Sequence, residues 1–340
     1  MFNQKRGNSR RIFFMSVLII FIFILVLEGG TRLFLYFTRG LSTVGLPERR
    51  VYLRYQPFIM FGDDLDRALT PSKYSGIKYG ARAYRVLLLG ASTAADFPKS
   101  ILEKAFSDKF PGRKFEMIKA ACGGYNARQE LIVAAIWGTE LEPDIIITLD
   151  GGELVDRLVM EKAGTFYLNS AYKLVFTRPF LSPLVHILRQ SQFIHALGRL
   201  YARITIGPVQ QYTDAIPVYI SAQHSINLLA KGLSAARIMV LAPFMAFKEP
   251  LSQAEANFKH YKYREQVTKE LYNMLHEKLM ALAKKDGVLY IDGRHAFDGI
   301  NGTIFSDDFH FVNDEGYQIL AKYIANFVTE EDLKNTIIAQ

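Results

Sequence analysis

Ser92, Asp307 and His310 are residues whose types and spacing suit nucleophilic catalysis. Ser92 follows an apolar run and a glycine in the stretch YRVLLLGASTAADF, and Asp307 and His310 are three residues apart in SDDFHF. A histidine can take the proton of a serine hydroxyl while an aspartate holds the imidazole in place. The three residues could therefore form a serine nucleophile that attacks a carbonyl carbon. By spacing alone, Asp308 could take the role of Asp307.

Ser92 also has a structural interpretation. A strand followed by Gly-x-Ser-Thr can lead into a helix that Ser92 or Thr93 caps, by accepting hydrogen bonds from free backbone N–H groups. The functional interpretation rests on position, because catalytic groups collect at the carboxyl ends of the strands in open α/β sheets. The sequence pattern around Ser92 alone does not decide between the two.

The elements that would position these residues alternate along the chain. Five apolar segments are predicted to be strands, at residues 85–89, 115–119, 144–149, 237–241 and 288–291, with helical segments between them. This alternation predicts a three-layer α/β/α sandwich with a five-stranded, mostly parallel sheet. Asn126 followed by Gln129 predicts a capped helix start. A last long helix is predicted to pack on the sheet through Tyr317, Leu320, Ala321, Ile324, Phe327 and Val328.

The N-terminal residues predict a membrane anchor. Residues 1–11 form a short tail with four basic residues, and residues 12–37 are mostly apolar. Glu28 and Arg32 interrupt this segment four residues apart, where they could pair on one helical face. No small-x-small cleavage site follows, which favours an uncleaved transmembrane helix over a cleaved signal peptide. The preceding positive charge predicts a cytoplasmic N-terminus and a catalytic domain on the periplasmic or extracellular side.

The remaining divisions follow from composition. Residues 38–83 are predicted to be a turn-rich linker that packs on the domain, residues 84–330 the domain itself, and residues 331–340 a tail. The domain carries an insertion at residues 155–217 with seven basic and three acidic residues among many aromatic ones. The insertion is predicted to be a helical subdomain with snorkelling basic side chains. A lid that recognises an anionic or amphipathic substrate, or that lies on the membrane, is the alternative.

Charge and cysteine content exclude several classes of function. The 340 residues include 41 Lys and Arg against 33 Asp and Glu, a net charge of +8. Without a nucleic-acid-binding motif, this charge suits work near an anionic lipid or polymer, and no nucleic acid partner is expected. The single cysteine, Cys122, excludes an internal disulfide and a multi-cysteine metal site. We expect no metal or cofactor.

The order of four short motifs resembles the SGNH/GDSL hydrolase superfamily. The motifs are a strand-Gly-x-Ser-Thr turn, a Gly-Gly-Tyr-Asn-x-x-Gln loop, a strand ending in Asp-Gly-Gly, and a late Asp-x-x-His, together spanning residues 84–328. The resemblance implies a flavodoxin-like sheet, with Ser92 as the nucleophile, His310 as the general base and then acid, and Asp307 as the residue that holds His310. It also implies an oxyanion hole with donors from the backbone N–H groups of Ser92 and Gly124.

The chain departs from the family pattern at the third oxyanion donor. Where the family has Gly-x-Asn, this chain has Gly151-Gly152-Glu153. An ionised Glu153 would repel the oxyanion that an asparagine amide would stabilise. Three interpretations are open: Glu153 is protonated and donates, Glu153 points away and two backbone donors suffice, or the site binds without hydrolysing. We favour the second.

These expectations together predict a membrane-anchored, extracytoplasmic serine esterase. Its substrate would be an O-acyl ester, such as an acetyl ester, of an envelope polysaccharide or a lipid. Within the same family resemblance, the alternative enzyme is an O-acetyltransferase, which would need a membrane protein partner to deliver acyl groups. The alternative outside catalysis is a glycan-binding or assembly protein that kept the fold. A membrane-surface structural protein, with Ser92 as a turn residue only, is a further alternative that the late Asp-x-x-His disfavours.

Overall fold

The computed structural model describes residues 83–151, 215–258, 265–307 and 312–334, and helical residues between 15 and 33. The chain divides into two compact units, one of Met1–Val51 with Ala171–Ile206 and the other of Tyr52–Ser170 with Gly207–Gln340. The strands and helices given below all belong to the second unit.

In the described part of the chain, five strands form one sheet in which every pair of neighbours is parallel. Each predicted strand is confirmed to within one residue at either end. The side chains of the third strand are buried along its whole length, as its β-branched residues require on a sheet covered on both faces. Along the sheet the strands lie in the order β2-β1-β3-β4-β5. Their bounds are β1 Tyr84–Gly90, β2 Phe115–Lys119, β3 Ile145–Asp150, β4 Ala236–Leu241 and β5 Leu289–Asp292.

The helices cover both faces of the sheet. Their bounds are α1 Ser92–Asp96, α2 Lys99–Lys109, α3 Ala127–Leu141, α4 Ala215–Gly232, α5 Gln253–Ala256, α6 Glu265–Asp286, α7 Asp314–Phe327 and α8 Glu330–Lys334. From β1 to β2 the chain moves towards one edge of the sheet, and from β2 through β5 it moves towards the opposite edge. Because parallel crossovers are right-handed, α2 lies on the face opposite α3, α4 and α6. The contacts agree, since α2 packs against α7 while α4 packs against both α3 and α6. The predicted three-layer sandwich is confirmed.

Local signals at two helices have different outcomes. The capping box of α3 is confirmed, because Asn126 Oδ1 accepts from the Gln129 N–H at 3.0 Å and Gln129 Oε1 accepts from the Asn126 N–H at 3.1 Å. The predicted apolar face of α7 is buried except at Phe327, which is 45% exposed. That part of the prediction is wrong. Phe327 ends the helix, and its ring packs on Tyr323 with centroids 5.0 Å apart.

Half of the predicted anchor at residues 12–37 lies outside the described residues, as do nearly all of the linker at 38–83 and of the insertion at 155–217. Among the residues that the structure describes, none of the helices combines the length and the apolar character needed to cross a membrane. The described side chains of the N-terminal helical residues include seven large apolar ones that are at least half exposed: Met15, Ile19, Ile22, Phe23, Leu25, Val26 and Leu33.

Candidate active site

Ser92 is the first residue of α1 and lies directly beyond the carboxyl end of β1. Its side chain is half-buried. The residue at the N-cap position is Ala91, whose side chain makes no capping hydrogen bond to α1. Ser92 and Thr93 are therefore residues of the first turn of α1 and do not occupy its N-cap position.

The turn after β2 lies beside Ser92. The Cys122 N–H donates to the Gly90 carbonyl at 3.2 Å, and the Tyr125 N–H donates to the Cys122 carbonyl at 3.0 Å, which closes a tight turn. A Cβ atom placed on Gly123 would lie 4.0 Å from the Ser92 Cβ. The loop that holds the predicted donor Gly124 thus reaches Ser92, and Gly123 is the glycine whose proximity the structure shows. The Gly-Gly pair in the sequence was the signal for both.

The carboxyl end of β3 brings a buried carboxylate to the same edge of the sheet. Asp150 is only 4% exposed, and it accepts hydrogen bonds from the Tyr219 hydroxyl and, at 3.0 Å, from Gln223 Nε2. Burial, followed by the charge of Asp150, raises the pKa of Tyr219 well above its usual value, so Tyr219 stays a donor at neutral pH. Sequence analysis gave Asp150 no role. Its signal was an acidic residue ending an apolar strand.

Arg237, near the start of β4, extends this polar network through Gln223. The residue is 5% exposed. Its Nη2 donates hydrogen bonds to Gln223 Oε1 at 2.7 Å and to Thr148 Oγ1 at 2.9 Å. Its Nε donates to Asn227 Oδ1 at 3.0 Å. Burial lowers the pKa of Arg237 to about 10 against the opposing influence of Asp150, so the guanidinium remains charged at neutral pH. A buried anion and a buried cation are therefore linked through one glutamine, which offsets the cost of burying each.

Asp307 lies in the segment between β5 and α7 and is half-buried. The ends of its turn are joined by an antiparallel bridge between Phe305 and Val312. The start of α7 packs towards Ser92, because the ring of Tyr317 lies on Phe97, just past α1, with centroids 5.0 Å apart. Asp307 thus belongs to a segment whose following helix contacts the neighbourhood of the serine.

The described residues bring the Ser92 turn, the Gly123 loop and the end of β3 together. Two other predicted site residues, His310 and Glu153, lie outside the described residues. The site lies at the carboxyl end of β1, which has β2 on one side and β3 on the other. This is the switch point at which open α/β sheets with this strand order bind ligands. In the described part of the chain, no three His, Cys, Asp or Glu side chains are grouped as they would be to hold a metal ion.

A cavity of about 560 Å³ lies elsewhere, where β4 and β5 begin. Charged residues from the ends of α4 and α6 line it, including Lys231, Lys285 and Asp286. Because it opens at the amino ends of the strands, it is separate from the edge that carries Ser92.

Comparison with known proteins gives matches of structure only, since no family model and no curated protein matches the sequence. AlAXEase, an acetyl xylan esterase, is 13% identical with a TM-score of 0.44 over 72% of this chain and 100% of its own. A variant of Axe2, an acetyl xylan esterase from Geobacillus stearothermophilus, is 12% identical with a TM-score of 0.42 over 73% and 96%. A member of the lipolytic G-D-S-L family from Veillonella parvula is 13% identical with a TM-score of 0.42 over 73% and 100%. The last is named for the family that the sequence motifs resemble.

Proposed function

We propose that this protein is a serine ester hydrolase with Ser92 as its nucleophile. One observation carries the proposal: a half-buried serine stands at the switch point between β1 and β3, with Gly123 beside it. A serine at this position is accessible to a substrate. Because Gly123 has no side chain, the loop leaves space beside Ser92 for an acyl group.

The reaction proceeds through an acyl-enzyme. Ser92 Oγ attacks the ester carbonyl while His310 takes its proton, and Asp307 holds the imidazole. The carbon–oxygen bond to the alcohol then breaks, and His310 returns the proton to the leaving alcohol. Water, deprotonated by His310, attacks the acyl-enzyme and restores Ser92 with release of the acid. The backbone N–H groups of Ser92 and Gly124 stabilise the oxyanion, and losing one such donor typically costs roughly 2.7–4 kcal/mol of barrier.

Glu153 limits the oxyanion hole to these two backbone donors. In this proposal its carboxylate points away from the oxyanion, since an ionised group beside developing negative charge would raise the barrier. The enzyme is then slower than one with an asparagine at this position. Replacing Glu153 by Asn supplies an amide donor and raises kcat.

The substrate in this proposal is an acyl ester of an envelope polysaccharide or a lipid, reached from a membrane anchor. The net charge of +8 favours an anionic surface, and the exposed apolar side chains among residues 15–33 favour burial in lipid. Hydrolysis and transfer share the acyl-enzyme, so an O-acetyltransferase would differ in accepting a sugar hydroxyl in place of water.

The direct test is the hydrolysis of p-nitrophenyl acetate by the full-length chain in detergent. We expect turnover that Ser92→Ala reduces by at least 10³-fold, on the order of the loss seen when a triad member is removed. Ser100→Ala is the matched control, because Ser100 is exposed on α2, and it should retain wild-type activity. Equal turnover by the wild type and Ser92→Ala would refute the proposal.

A binding protein is the second candidate, and Glu153 is the residue that favours it. If a folded wild-type chain and Glu153→Asn both lack Ser92-dependent turnover, while the wild type binds an acetylated polysaccharide, the binding function replaces the hydrolase. Recovery of turnover in Glu153→Asn alone would instead identify a weakened enzyme.

A further inference from the structure

A buried ion pair lies within the segment between β4 and α6, and its carboxylate contacts the chain just before Asp307. Lys248 Nζ lies 2.7 Å from Glu255 Oε2, and the two side chains are 1% and 0% exposed. Lys248 Nζ also donates to the Pro250 carbonyl at 2.8 Å. Both charges are therefore removed from water in a segment that ends at the short helix α5.

Each oxygen of Glu255 accepts two hydrogen bonds. Oε2 accepts from Lys248 Nζ and, at 2.9 Å, from the Ser252 N–H. Oε1 accepts from the backbone N–H groups of Ile304 at 2.8 Å and Phe305 at 2.9 Å. Burial alone would raise the pKa of Glu255, but these hydrogen bonds outweigh it and lower the pKa to about 2. Glu255 is thus an acceptor for the chain just before Asp307.

The pair is not explained by stability alone. Well-packed apolar residues can often replace a buried ion pair without loss of stability, since desolvation offsets most of the attraction. An apolar pair could not accept the N–H groups of Ile304 and Phe305. The feature specific to Glu255 is therefore that it accepts hydrogen bonds from these two backbone N–H groups.

That segment directly precedes Ser306 and Asp307, and Phe305 and Val312 bracket the residues between them. Phe305 bridges to Val312, the Asn313 N–H donates to the Ile304 carbonyl at 2.8 Å, and Asn313 Nδ2 donates to the Thr303 carbonyl at 2.7 Å. Ser252 Oγ, which belongs to the same segment as Glu255, lies 2.9 Å from Thr303 Oγ1. The backbone just before Asp307 is therefore fixed to Glu255 on one side and to the start of α7 on the other.

We propose that Glu255 is a positioning residue for catalysis, acting through the backbone of Ile304 and Phe305 to place Asp307 and the chain that leads from it to His310. This inference rests on the proposed hydrolase function. In this proposal Glu255 acts on neither the ester nor Ser92, and its role is to fix the backbone just before Asp307. A displacement of about 1 Å there can cost roughly 100-fold in rate.

The test replaces the ion pair in two ways in the full-length chain. Lys248→Met/Glu255→Leu removes both charges and the acceptor, whereas Lys248→Met/Glu255→Gln keeps one acceptor oxygen for the backbone. We expect the Leu variant to lose roughly 100-fold in kcat towards p-nitrophenyl acetate with little change in KM, and the Gln variant to recover most of it. Lys104→Met/Asp108→Leu, at an ion pair whose side chains are 74% and 58% exposed, is the control and should match the wild type.

Amide hydrogen exchange separates this inference from the proposed function. In the Leu variant, exchange should accelerate at residues 303–313 and stay unchanged in β1 and β3. A folded Leu variant with wild-type kcat, or with wild-type exchange in this segment, overturns the inference. If the wild type itself shows no Ser92-dependent turnover, the hydrolase proposal fails, and the exchange result still decides whether Glu255 holds this segment.

Discussion

At the scale of single residues, Gly90 shows how closely the backbone is packed behind Ser92. Its φ angle is +145°, and a Cβ atom there would lie 2.4 Å from the Leu149 carbonyl oxygen and 2.6 Å from Ala94 Cβ. A side chain would therefore push β1 away from β3 and shift α1. The glycine before the serine is a requirement of packing between neighbouring strands, beyond its use in a turn.

Gly90→Ala should accordingly destabilise the domain more than an ordinary glycine replacement. Gly112→Ala is the matched control, because Gly112 also has a positive φ angle, +85°, but nothing lies within 4 Å of its added Cβ. We expect Gly90→Ala to cost about 1–3 kcal/mol more in free energy of unfolding than Gly112→Ala, from overpacking against backbone. Urea denaturation of both variants in detergent measures the difference, and equal losses would contradict the packing argument.

At the scale of elements, a buried polar network ties α4 to the carboxyl end of β3 and to β4. Tyr219 and Gln223, one turn apart on α4, hold Asp150, and Gln223 also accepts from Arg237. α4 begins at Ala215, within the last residues of the predicted insertion at 155–217, so the network fixes where the chain returns to the sheet. The chain leaves β3 at Gly151, directly after this fixed point, and Glu153 follows two residues later in the sequence.

Removing one charge of this network should be costly. We expect Arg237→Met to lower the free energy of unfolding by about 3–5 kcal/mol, because the Asp150 carboxylate would stay buried without its cation. Lys104→Met, at an exposed position, should change it by less than about 0.5 kcal/mol. The double variant Arg237→Met/Asp150→Asn should cost less than the sum of the two single changes in denaturant unfolding. Strict additivity would show that the two charges are not coupled.

At the scale of the whole molecule, the proposal places a serine hydrolase outside the cytoplasm, held by an anchor at residues 12–37 that follows a short basic tail. The four basic residues before residue 12 and the apolar residues after it predict this orientation. The substrate is then an ester at the membrane or in the envelope around it. A hydrolase held there would meet immobile polymers and lipids that a diffusing enzyme reaches less often.

A pair of C-terminal fusions tests this orientation. We expect alkaline phosphatase fused after residue 340 to be active in cells and β-galactosidase at the same point to be inactive. Deleting residues 12–37 should reverse both results, because the chain would then stay in the cytoplasm. An active β-galactosidase fusion of the full chain would contradict the predicted orientation.

The sequence by itself determined the elements and their alternation. Five apolar runs predicted the strands to within one residue, because a strand covered on both faces must be apolar throughout its length. The capping box at Asn126 was also predictable from local sequence, because its hydrogen bonds join residues only three positions apart. The candidate nucleophile followed from the position of Ser92 after the first strand. The roles of His310, Asp307, Gly124 and Glu153 stay predictions.

Only the tertiary structure decided which distant side chains meet. Asp150 and Tyr219 are 69 positions apart, and Glu255 and Ile304 are 49 apart, so no local period connects either pair. Strand order likewise depends on which edges pair, and it is this order that makes the end of β1 a switch point. Local patterns report which face of an element is apolar. The polar partners of a buried charge are set by how whole elements pack. The hydrogen bonds of Asp150 with α4, and those of Glu255 with the backbone of Ile304 and Phe305, are therefore visible only in the folded molecule.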